Sequence, residues 1–343
     1  MLSERLCPPY DEGIKNVTVH LIRALSASHD VLGITVGGQP DAKLRIQNVH
    51  TNRLLVSREL GGLIRECAPQ AIVYVPTACG TVFSFARASV LRAYSGGAPT
   101  ALVLLQPRRH TAVGRLLIGR LHPDWVVAQS RRTAGTFETL GFRTALLPPA
   151  VDAERFRPVG QETKLALRSR YGIPSRATVV THVGHLKGKR NLSQLVALQV
   201  GGGYHTLVVA STSTKQDAAL KGRLQSTGAT VVDRFVTNVE DVYRLSDVYL
   251  FLAEGATAAI EVPLSVLEAM ACNLPVVCTP FGGLPDHFEG GRGLYYWRGQ
   301  TELASLVELA QTSPSSTREL VETRTWSAAA EFLVQVLRRK RAT

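Results

Sequence analysis

The sequence has few of the features that mark several common classes of protein. Its 343 residues contain only five cysteines, and none of them stands in a C-x-x-C pair or in the His/Cys spacing of a metal site. This scarcity fits a reducing compartment. No apolar run approaches the roughly 18 residues that a membrane-spanning helix needs. The first residues lack the apolar stretch of a signal peptide. We therefore expect a cytoplasmic protein.

Acidic residues are also in the minority, and the resulting basic charge invites a nucleic-acid hypothesis. There are 27 Asp and Glu against 39 Lys and Arg, which gives a formal net charge of +12. The positive residues are scattered, however, and no RNP, zinc-finger or helix-turn-helix pattern accompanies them. A basic surface equally suits a diphosphate, an acidic glycan or anionic lipid headgroups. We therefore expect no nucleic-acid partner, which a salt-dependent DNA or RNA binding assay would test.

The order of the predicted elements indicates an α/β protein with parallel sheets, because strands alternate with helices along the chain. At roughly 150 residues per domain, the length suggests two domains, and the proline-rich stretch 147–158 is the best boundary. Apolar residues at helical spacing predict helices at 16–27 and 325–339. Short apolar runs predict strands at 31–36, 71–75, 100–105, 125–129, 178–183, 206–210, 230–235, 248–252 and 275–279.

One expected element is missing at the start of the chain. A doubly wound domain normally opens with a buried parallel strand, which is a continuous apolar run. Residues 1–7 carry Glu4 and Arg5 instead. We therefore expect either that the chain starts downstream of its natural start or that residues 3–8 supply only a remnant strand. In the first case, a chain extended upstream should be more soluble and melt at a higher temperature.

The most informative segment is 260–289, which predicts a helix, a strand and a Gly-Gly loop. Pro263 suits the first position of the helix, and Pro275 begins the short buried strand after it. Glu268 stands within the apolar stretch of the helix. A lone buried carboxylate is costly unless something bonds it. Either nearby backbone groups or a ligand must therefore satisfy Glu268, and the residues alone leave both open.

Segment 260–289 closely resembles the nucleotide-sugar site of retaining glycosyltransferases of family 4, which have the GT-B fold. The family signature is a Glu, seven residues, Glu-Ala-Met-Ala, a Pro-Val-Val strand, and Gly-Gly-(Ile/Leu)-Pro-Glu. The matching residues here are Leu267-Glu268-Ala269-Met270-Ala271, Pro275-Val276-Val277 and Gly282-Gly283-Leu284-Pro285-Asp286. Weaker matches extend the resemblance over nearly the whole chain; they are residues 8–16, 147–158, 183–186 and 190–192.

The resemblance implies a role for each residue of this block. Glu268 should bond the ribose hydroxyls of the donor, and Leu267 lies beside it in the motif. The family's first Glu, near the donor sugar, maps onto Glu261, although the strictly aligned position is Ile260. The backbone of the Gly-Gly loop should approach the phosphates, because glycine allows close contact. The loop residues are Gly282, Gly283 and Leu284.

The resemblance also implies how the leaving diphosphate is neutralised. The chain contains no Asp-x-Asp motif to hold a divalent cation, so we expect positive side chains and no metal or other cofactor. Arg190 aligns with the family's phosphate-binding Lys. His185 stands where the family has a partner Arg, and Lys187 and Lys189 lie in the same loop. We predict that Arg190 contacts the diphosphate and that the part of the family's Arg is taken by a protonated His185, by Lys187 or by Lys189.

Two further site residues are expected in the first half of the chain. Gln106 aligns with a His that family members often carry near the transferred sugar. Gln cannot act as a base, but it can bond a sugar hydroxyl, and the leaving phosphate can take the acceptor's proton. Gly13 should let the first loop of the acceptor domain approach the donor. The predicted catalytic set is therefore Glu261, Arg190 and Gln106.

By this resemblance we expect a GT-B protein with two Rossmann-like doubly wound domains that face each other across a cleft. The first domain should span residues 1–150 and the second, nucleotide-sugar-binding domain residues 151–324. A helix within 325–343 should cross back to the first domain. The expected activity moves a sugar from a nucleotide diphosphate sugar to a glycan, lipid-linked or small-molecule acceptor, with retention. The alternatives are a nucleotide-sugar-binding pseudoenzyme and a sugar-nucleotide epimerase of the same fold; a phosphorylase lacks a supporting motif.

A basic apolar stretch leaves membrane contact open. Val113, Leu116, Leu117 and Leu121 are interleaved with Arg115 and Arg120. This pattern predicts either an amphipathic helix on the inner face of a membrane or a helix whose apolar side packs on the first domain's sheet.

Overall fold

The computed structural model describes residues 1–77, 79–213 and 215–339, and the chain forms two compact units. The first unit consists of Met1–Pro148, Ile260–Val262 and the chain from Trp326 onward. The second unit consists of Pro149–Ala259 and Pro263–Thr325. In the described ranges, none of the helices combines the length and apolar character that crossing a bilayer requires.

The first unit is a parallel sheet with helices between its strands. Its strands are β1 (Gly33–Thr35), β2 (Ile46–Asn48), β3 (Ile72–Tyr74), β4 (Thr100–Leu104), β5 (Trp125–Ala128) and β6 (Thr144–Leu146). Its helices are α1 (Gly13–Ser26), α2 (Arg58–Cys67), α3 (Val82–Tyr94), α4 (Ala112–Ile118) and α5 (Arg131–Glu138). Strands β3 to β6 pair in chain order, and β1 pairs with β2.

The first four residues occupy the slot between β1 and β3. Leu2 forms parallel bridges to both Ile34 and Tyr74, and its backbone N–H donates to the Val73 carbonyl at 2.8 Å. The Leu2 side chain is 1% exposed. The predicted remnant strand therefore exists. It begins at Met1, two residues earlier than expected, and its backbone hydrogen bonds extend through Glu4 to Leu6. It makes one sheet of the two sets of strands.

Glu4 is the last residue of this segment, and its carboxylate is bonded by donors at the end of the sheet. Its carboxylate accepts hydrogen bonds from the Tyr74 hydroxyl at 2.5 Å and the Thr77 backbone N–H at 2.8 Å. It also pairs with Arg87 at 2.6 Å. A buried carboxylate with this many donors is tolerated. The presence of Glu4 therefore does not exclude a strand, contrary to our expectation from the sequence.

The second unit is a six-stranded parallel sheet with the strand order β12-β11-β10-β7-β8-β9. Its strands are β7 (Thr178–Gly184), β8 (Tyr204–Ala210), β9 (Thr230–Val232), β10 (Val248–Phe251), β11 (Val276–Cys278) and β12 (Leu294–Tyr296). Its helices are α6 (Gln161–Arg170), α7 (Ser193–Val200), α8 (Ala218–Ser226), α9 (Val239–Leu245), α10 (Leu264–Ala271), α11 (Leu284–His287) and α12 (Leu303–Thr312). The order in which the chain adds strands to the sheet reverses between the neighbouring strands β7 and β10. Doubly wound sheets bind ligands at such a reversal point.

The last helix, α13 (Trp326–Arg338), belongs to the first unit. It packs on α1, where the Trp326 ring stacks on His20 with 4.7 Å between centroids. Its apolar face, including Leu333 and Val336, is fully buried. The helix predicted at 325–339 is therefore found within one residue of its expected limits.

Every strand predicted from the sequence is present, usually one to three residues shorter, and three strands were missed. The missed strands are β2, β6 and β12, each of three residues. All three lie at sheet edges. An edge strand has one neighbour and needs less apolar sequence, so its signal is weak.

Asp247 connects three elements of the second unit. Its carboxylate accepts hydrogen bonds from Arg168 on α6 at 2.5 Å, from Lys164 at 2.6 Å and from the Val179 backbone N–H at 2.7 Å. Arg168 is 4% exposed. The carboxylate is thus the counter-ion of a buried guanidinium.

We predict that Asp247→Ala lowers the free energy of unfolding by about 3–5 kcal/mol, because it leaves a buried charge without its acid. Urea denaturation measures the loss. Glu319→Ala is the matched control: it removes the Arg292–Glu319 pair, whose side chains are each 59% exposed, and should cost at most about 1 kcal/mol. Equal losses in the two variants would contradict the assignment.

Candidate functional site

The candidate site lies in the second unit, beyond the carboxyl ends of β7 and β10. The loop after β7 contains a short 3₁₀ turn, Gly188–Arg190. Glu254, which follows β10, fixes this loop from the other side of the reversal point. Its backbone N–H donates to the Lys189 carbonyl at 2.9 Å, and its carboxylate accepts from Asn191 at 3.0 Å. The loop is therefore tied to both strands that border the reversal point.

Arg190 is the main charged group in this loop. It is 6% exposed, and its guanidinium lies 5.2 Å from the centre of the Phe251 ring. In the described part of the chain it forms no ion pair, and its Nε atom has no hydrogen-bond partner. Burial lowers the pKa of the guanidinium. A buried charge without a counter-ion is unstable relative to water, so this geometry favours an anionic ligand.

Gly184 and His182, at the end of β7, border the guanidinium. A Cβ atom on Gly184 would lie 3.5 Å from Nη1 of Arg190 and 3.3 Å from Nε2 of His182. His182 is buried and its Nδ1 lies 2.9 Å from the Leu250 carbonyl oxygen. Burial, reinforced by Arg190, lowers the pKa of His182 to about 3. The imidazole is therefore neutral, with Nδ1 donating and Nε2 able to accept.

The sequence analysis missed His182. It is a polar residue inside an otherwise apolar parallel strand, and this was the available signal. Buried polar atoms are normally hydrogen-bonded, yet its Nε2 has no partner among the described residues. Nε2 can accept a hydrogen bond from a ligand hydroxyl, but it cannot bond to a phosphate oxygen, which is itself an acceptor.

Glu268 lies on α10 and is half-buried. Its carboxylate accepts a hydrogen bond from the Tyr243 hydroxyl at 2.6 Å, and in the described part of the chain this is its one hydrogen bond. Burial raises the pKa of Glu268 to about 6, while the Tyr243 hydrogen bond and Arg155 act in the opposite direction. The carboxylate thus keeps one oxygen for a further donor, such as a sugar hydroxyl.

Tyr249, on β10, links the two charged groups. Its pKa is raised by burial, and its hydroxyl is close enough to both Arg190 and Glu268 to be affected by their charges. Its ring lies 5.6 Å from that of Tyr243. The structure therefore brings Arg190 and Glu268 into one cluster around Tyr249.

The other predicted donor-site residues of the second unit fall into three groups. Lys187 and Lys189 are exposed in the loop after β7, and His185 is partly buried there. Gly282, at φ +55°, and Gly283 form the turn before α11. The side chains of the two leucines in the motif are 1% exposed and belong to the core, so only their backbone can reach a ligand; they are Leu267 and Leu284.

Glu261 belongs to the first unit, whereas Glu268 belongs to the second. The Oε1 atom of Glu261 accepts hydrogen bonds from Ser130 at 2.5 Å and from Thr133 at 2.7 Å. Its backbone N–H donates to the Leu105 carbonyl at 2.7 Å. These contacts anchor segment 260–262 at the start of α5. The catalytic role of Glu261 stays a prediction, and the structure gives this carboxylate a structural role as well.

Gln106 and Gly13 are the remaining predicted site residues, and both lie in the first unit. Gln106 follows β4, and its Oε1 accepts from the Cys79 thiol at 2.9 Å. Gly13 is the first residue of α1, where a Cβ atom would lie 3.1 Å from Cδ1 of Ile260. Glycine is therefore favoured at position 13 by local packing. Their ligand contacts stay predictions.

Residues 1–77, 79–213 and 215–339 contain no cluster of three or more His, Cys, Asp and Glu side chains suited to a metal ion. The expectation that no metal is needed concerns the reaction, and it stays a prediction.

Several known proteins similar to this chain are glycosyltransferases. Residues 175–309 match the family model described as glycosyl transferases group 1. The sulfoquinovosyl transferase SQD2 of Arabidopsis thaliana is 27% identical over 61% of this chain and 42% of its own length. The lipopolysaccharide core biosynthesis mannosyltransferase LpsB of Rhizobium meliloti (strain 1021) is 28% identical over 54% of this chain and 52% of its own. The chain thus spans about half the length of these curated relatives.

Solved structures extend the similarity over the whole fold. HepE from Anabaena in complex with UDP covers 98% of this chain and 99% of its own at a TM-score of 0.75 and 15% identity. WaaG, a glycosyltransferase involved in lipopolysaccharide biosynthesis, covers 99% of this chain and 100% of its own at a TM-score of 0.61 and 14% identity. The fold is therefore GT-B, with a Rossmann-like parallel sheet in each unit, and the matches support a glycosyltransferase.

We predict that Glu268→Gln raises the melting temperature of the unliganded protein at pH 7.5. The pKa of Glu268 is higher in the folded than in the unfolded protein. Its half-buried carboxylate therefore destabilises the fold above about pH 6, and this destabilisation decreases at lower pH, where the carboxylate binds a proton. The gain from the substitution should disappear by about pH 4.5. Scanning calorimetry of both proteins across this range measures it, with the exposed Glu289→Gln as the control. A gain that is independent of pH would contradict the prediction.

Proposed function

We propose that the protein is a retaining glycosyltransferase that moves a sugar from a nucleotide diphosphate sugar to a glycan, lipid-linked or small-molecule acceptor. The observation that carries the proposal is Arg190, a buried guanidinium without a carboxylate partner among the described residues, placed where the strand order reverses. A nucleotide diphosphate supplies the missing negative charge. UDP and UDP-glucose are bound by the structural neighbour HepE.

Recognition of the donor divides between two groups in the second unit. Glu268 accepts hydrogen bonds from the ribose hydroxyls through the oxygen that Tyr243 leaves available. Arg190 engages the diphosphate, and the missing side chain at Gly184 leaves room beside the guanidinium. Charge-assisted bonds of this kind are each worth roughly 1.5–3 kcal/mol. Leu267 and Leu284 hold their helices in the core so that the backbone near Gly282 and Gly283 stays in place.

In the transfer step, the bond between the sugar and the distal phosphate breaks, and negative charge develops on the departing diphosphate. Arg190 stabilises that charge, and a preorganised donor in such a position is worth about 2.7–4 kcal/mol. His185, Lys187 and Lys189 in the same loop add hydrogen bonds and positive charge. The leaving phosphate takes the acceptor's proton, and the acceptor oxygen attacks the same face of the sugar. No metal is required in this scheme.

The residues of the first unit have lesser roles in the proposal. Gln106 bonds a hydroxyl of the transferred sugar, and Gly13 allows the backbone of the first loop to approach the donor. Glu261 is kept as the acid near the donor sugar. The enzyme acts in the cytoplasm and contacts the membrane only at its inner face. Nucleic acid has no part in this function.

A second candidate is a nucleotide-sugar-binding protein without transferase activity. It is favoured by Glu261, whose carboxylate is engaged by Ser130 and Thr133. His185 and Gln106, which replace an Arg and a His of the family pattern, favour it as well. An epimerase fits less well, because Gln106 does not titrate. Donor hydrolysis and transfer assays separate the binding protein from the enzyme.

We predict that Arg190→Gln weakens the binding of nucleoside diphosphates far more than the binding of the corresponding nucleosides, because the proposed partner of Arg190 is phosphate. Thermal-shift titrations against a panel of nucleosides and their diphosphates measure both affinities. For the wild-type protein, a diphosphate at 100 times its Kd should stabilise by about 2.7 kcal/mol.

The unliganded Arg190→Gln protein should melt no lower than wild type, because the substitution removes an uncompensated buried charge. Arg223→Gln, at an exposed position on α8, is the matched control and should change neither affinity. If Arg190→Gln lowered the affinities for nucleoside and diphosphate equally, this residue would act through the fold and not on phosphate.

We also predict that a chelator leaves transfer activity unchanged and that the product keeps the donor's anomeric configuration. Activity with and without EDTA, followed by NMR of the product anomer, tests both. Loss of activity in EDTA that added Mg²⁺ or Mn²⁺ restores would overturn the metal-independent scheme. An inverted product would overturn the retaining one.

A further inference from the structure

Helix α4 of the first unit has its apolar side chains turned to solvent. Val113, Leu116 and Leu117 are 67%, 59% and 45% exposed, whereas Gly114 and Ile118 are buried. At a spacing of three and four residues, the exposed side chains share one face. The alternative that this face packs on the sheet is therefore wrong. Leu121, which the sequence placed with them, instead packs against the core.

The start of α3 lies against the buried side of α4 and carries an exposed aromatic residue. A Cβ atom on Gly114 would lie 3.8 Å from Cγ2 of Val82, the first residue of α3. Phe83, the next residue, is 58% exposed. Single exposed apolar residues are ordinary, but several together mark an interaction surface. We name Val113, Leu116 and Leu117 the α4 patch.

Four arginines accompany the α4 patch, and no acid lies among them in the sequence. Between Leu105 and Asp124 there is no Asp or Glu. The four arginines are all exposed, and within the described ranges none of them forms an ion pair; they are Arg108, Arg109, Arg115 and Arg120. Burial is the main cause of the lowered pKa of His110, and the charges of Arg108 and Arg115 lower it further, so both arginines lie near this residue. The segment 105–123 therefore combines an exposed apolar helix face with four exposed positive charges and no negative charge.

We propose that the α4 patch and its four arginines bind the surface of an anionic phospholipid bilayer. Such a bilayer matches both features of this surface. Its acyl layer, a few ångströms below the headgroups, can take up the apolar side chains, and its headgroups carry negative charge for the arginines. Arginine can reach phosphate while its aliphatic stem stays in the apolar layer. A nucleic acid would neutralise the arginines but leave the leucines in water. This binding needs neither nucleotide nor acceptor and is independent of the proposed transfer reaction.

Co-sedimentation with vesicles tests the proposal without any variant. The wild-type protein should bind vesicles of phosphatidylcholine containing phosphatidylglycerol and show much weaker binding to phosphatidylcholine alone. Added salt should weaken the binding, because the charged contribution is screened. Equal binding to both kinds of vesicle, or none to the anionic kind at low salt, would overturn the proposal.

Two double variants then separate the apolar from the charged contribution. Leu116→Asp/Leu117→Asp should reduce binding to the level of neutral vesicles. Arg115→Gln/Arg120→Gln should weaken binding about 30-fold at low salt, since each arginine near the surface contributes about fivefold. The controls are Leu309→Asp on α12, at a leucine that is 49% exposed, and Arg176→Gln/Arg223→Gln. Neither control should change vesicle binding.

Two outcomes with these variants would overturn the assignment of the α4 patch. The first is wild-type vesicle binding by Leu116→Asp/Leu117→Asp, which would mean that charge alone acts, as it would with a polyanion or an acidic protein. The second is a loss of vesicle binding in Leu309→Asp and in Arg176→Gln/Arg223→Gln that equals the loss in the α4 variants. The replaced side chains are exposed, so the variants should melt like wild type, and Val113→Ser/Leu117→Ser provides a milder version of the first variant.

Discussion

The site of the second unit depends on one buried positive charge. Arg190 lies at the reversal point of the sheet, packed over Phe251 and away from any acid with which it could pair among the described residues. A guanidinium in this position opposes folding until an anion arrives. The sheet must therefore be stable enough to hold it, and the loop must be fixed, as the bonds of Glu254 to Lys189 and Asn191 ensure. The proposed affinity for a diphosphate rests on this uncompensated buried charge.

The number of partners that a buried charge has separates the structural groups of this protein from the proposed ligand-binding groups. Asp247 and Glu4 each accept at least three hydrogen bonds or ion pairs from named donors. Glu268 takes one, from Tyr243, and Arg190 has no acid among the described residues. A site that keeps charged groups undersatisfied loses stability, which a bound ligand returns. Glu261 resembles the first group in its contacts, although its sequence position suggested the second.

Much of the fold could be predicted from the sequence, because alternating apolar runs and helical periodicity are local signals. The strands of both sheets and the terminal helix α13 lie close to their expected positions. The grouping of the site was predicted less completely. Arg190 and Glu268 were found through a motif, but His182 was missed, because one polar residue in a buried strand has no distinctive pattern. The side-chain surroundings of Glu261 depend on residues 128 positions or more away, which no local pattern contains.

Sequence periodicity does not by itself predict which apolar side chains are buried. The exposed apolar face of α4 and the buried Leu2 are two examples. A helical repeat of Val113, Leu116 and Leu117 establishes that they share a face, but it does not say whether that face meets the core or solvent. In α4 the small Gly114 lets the helix pack closely through its other face, and the apolar side chains point outward. Leu2 has too short an apolar neighbourhood to predict a strand, yet it is buried between two strands. In both cases the neighbouring elements, and not the segment's own pattern, decide where apolar side chains go.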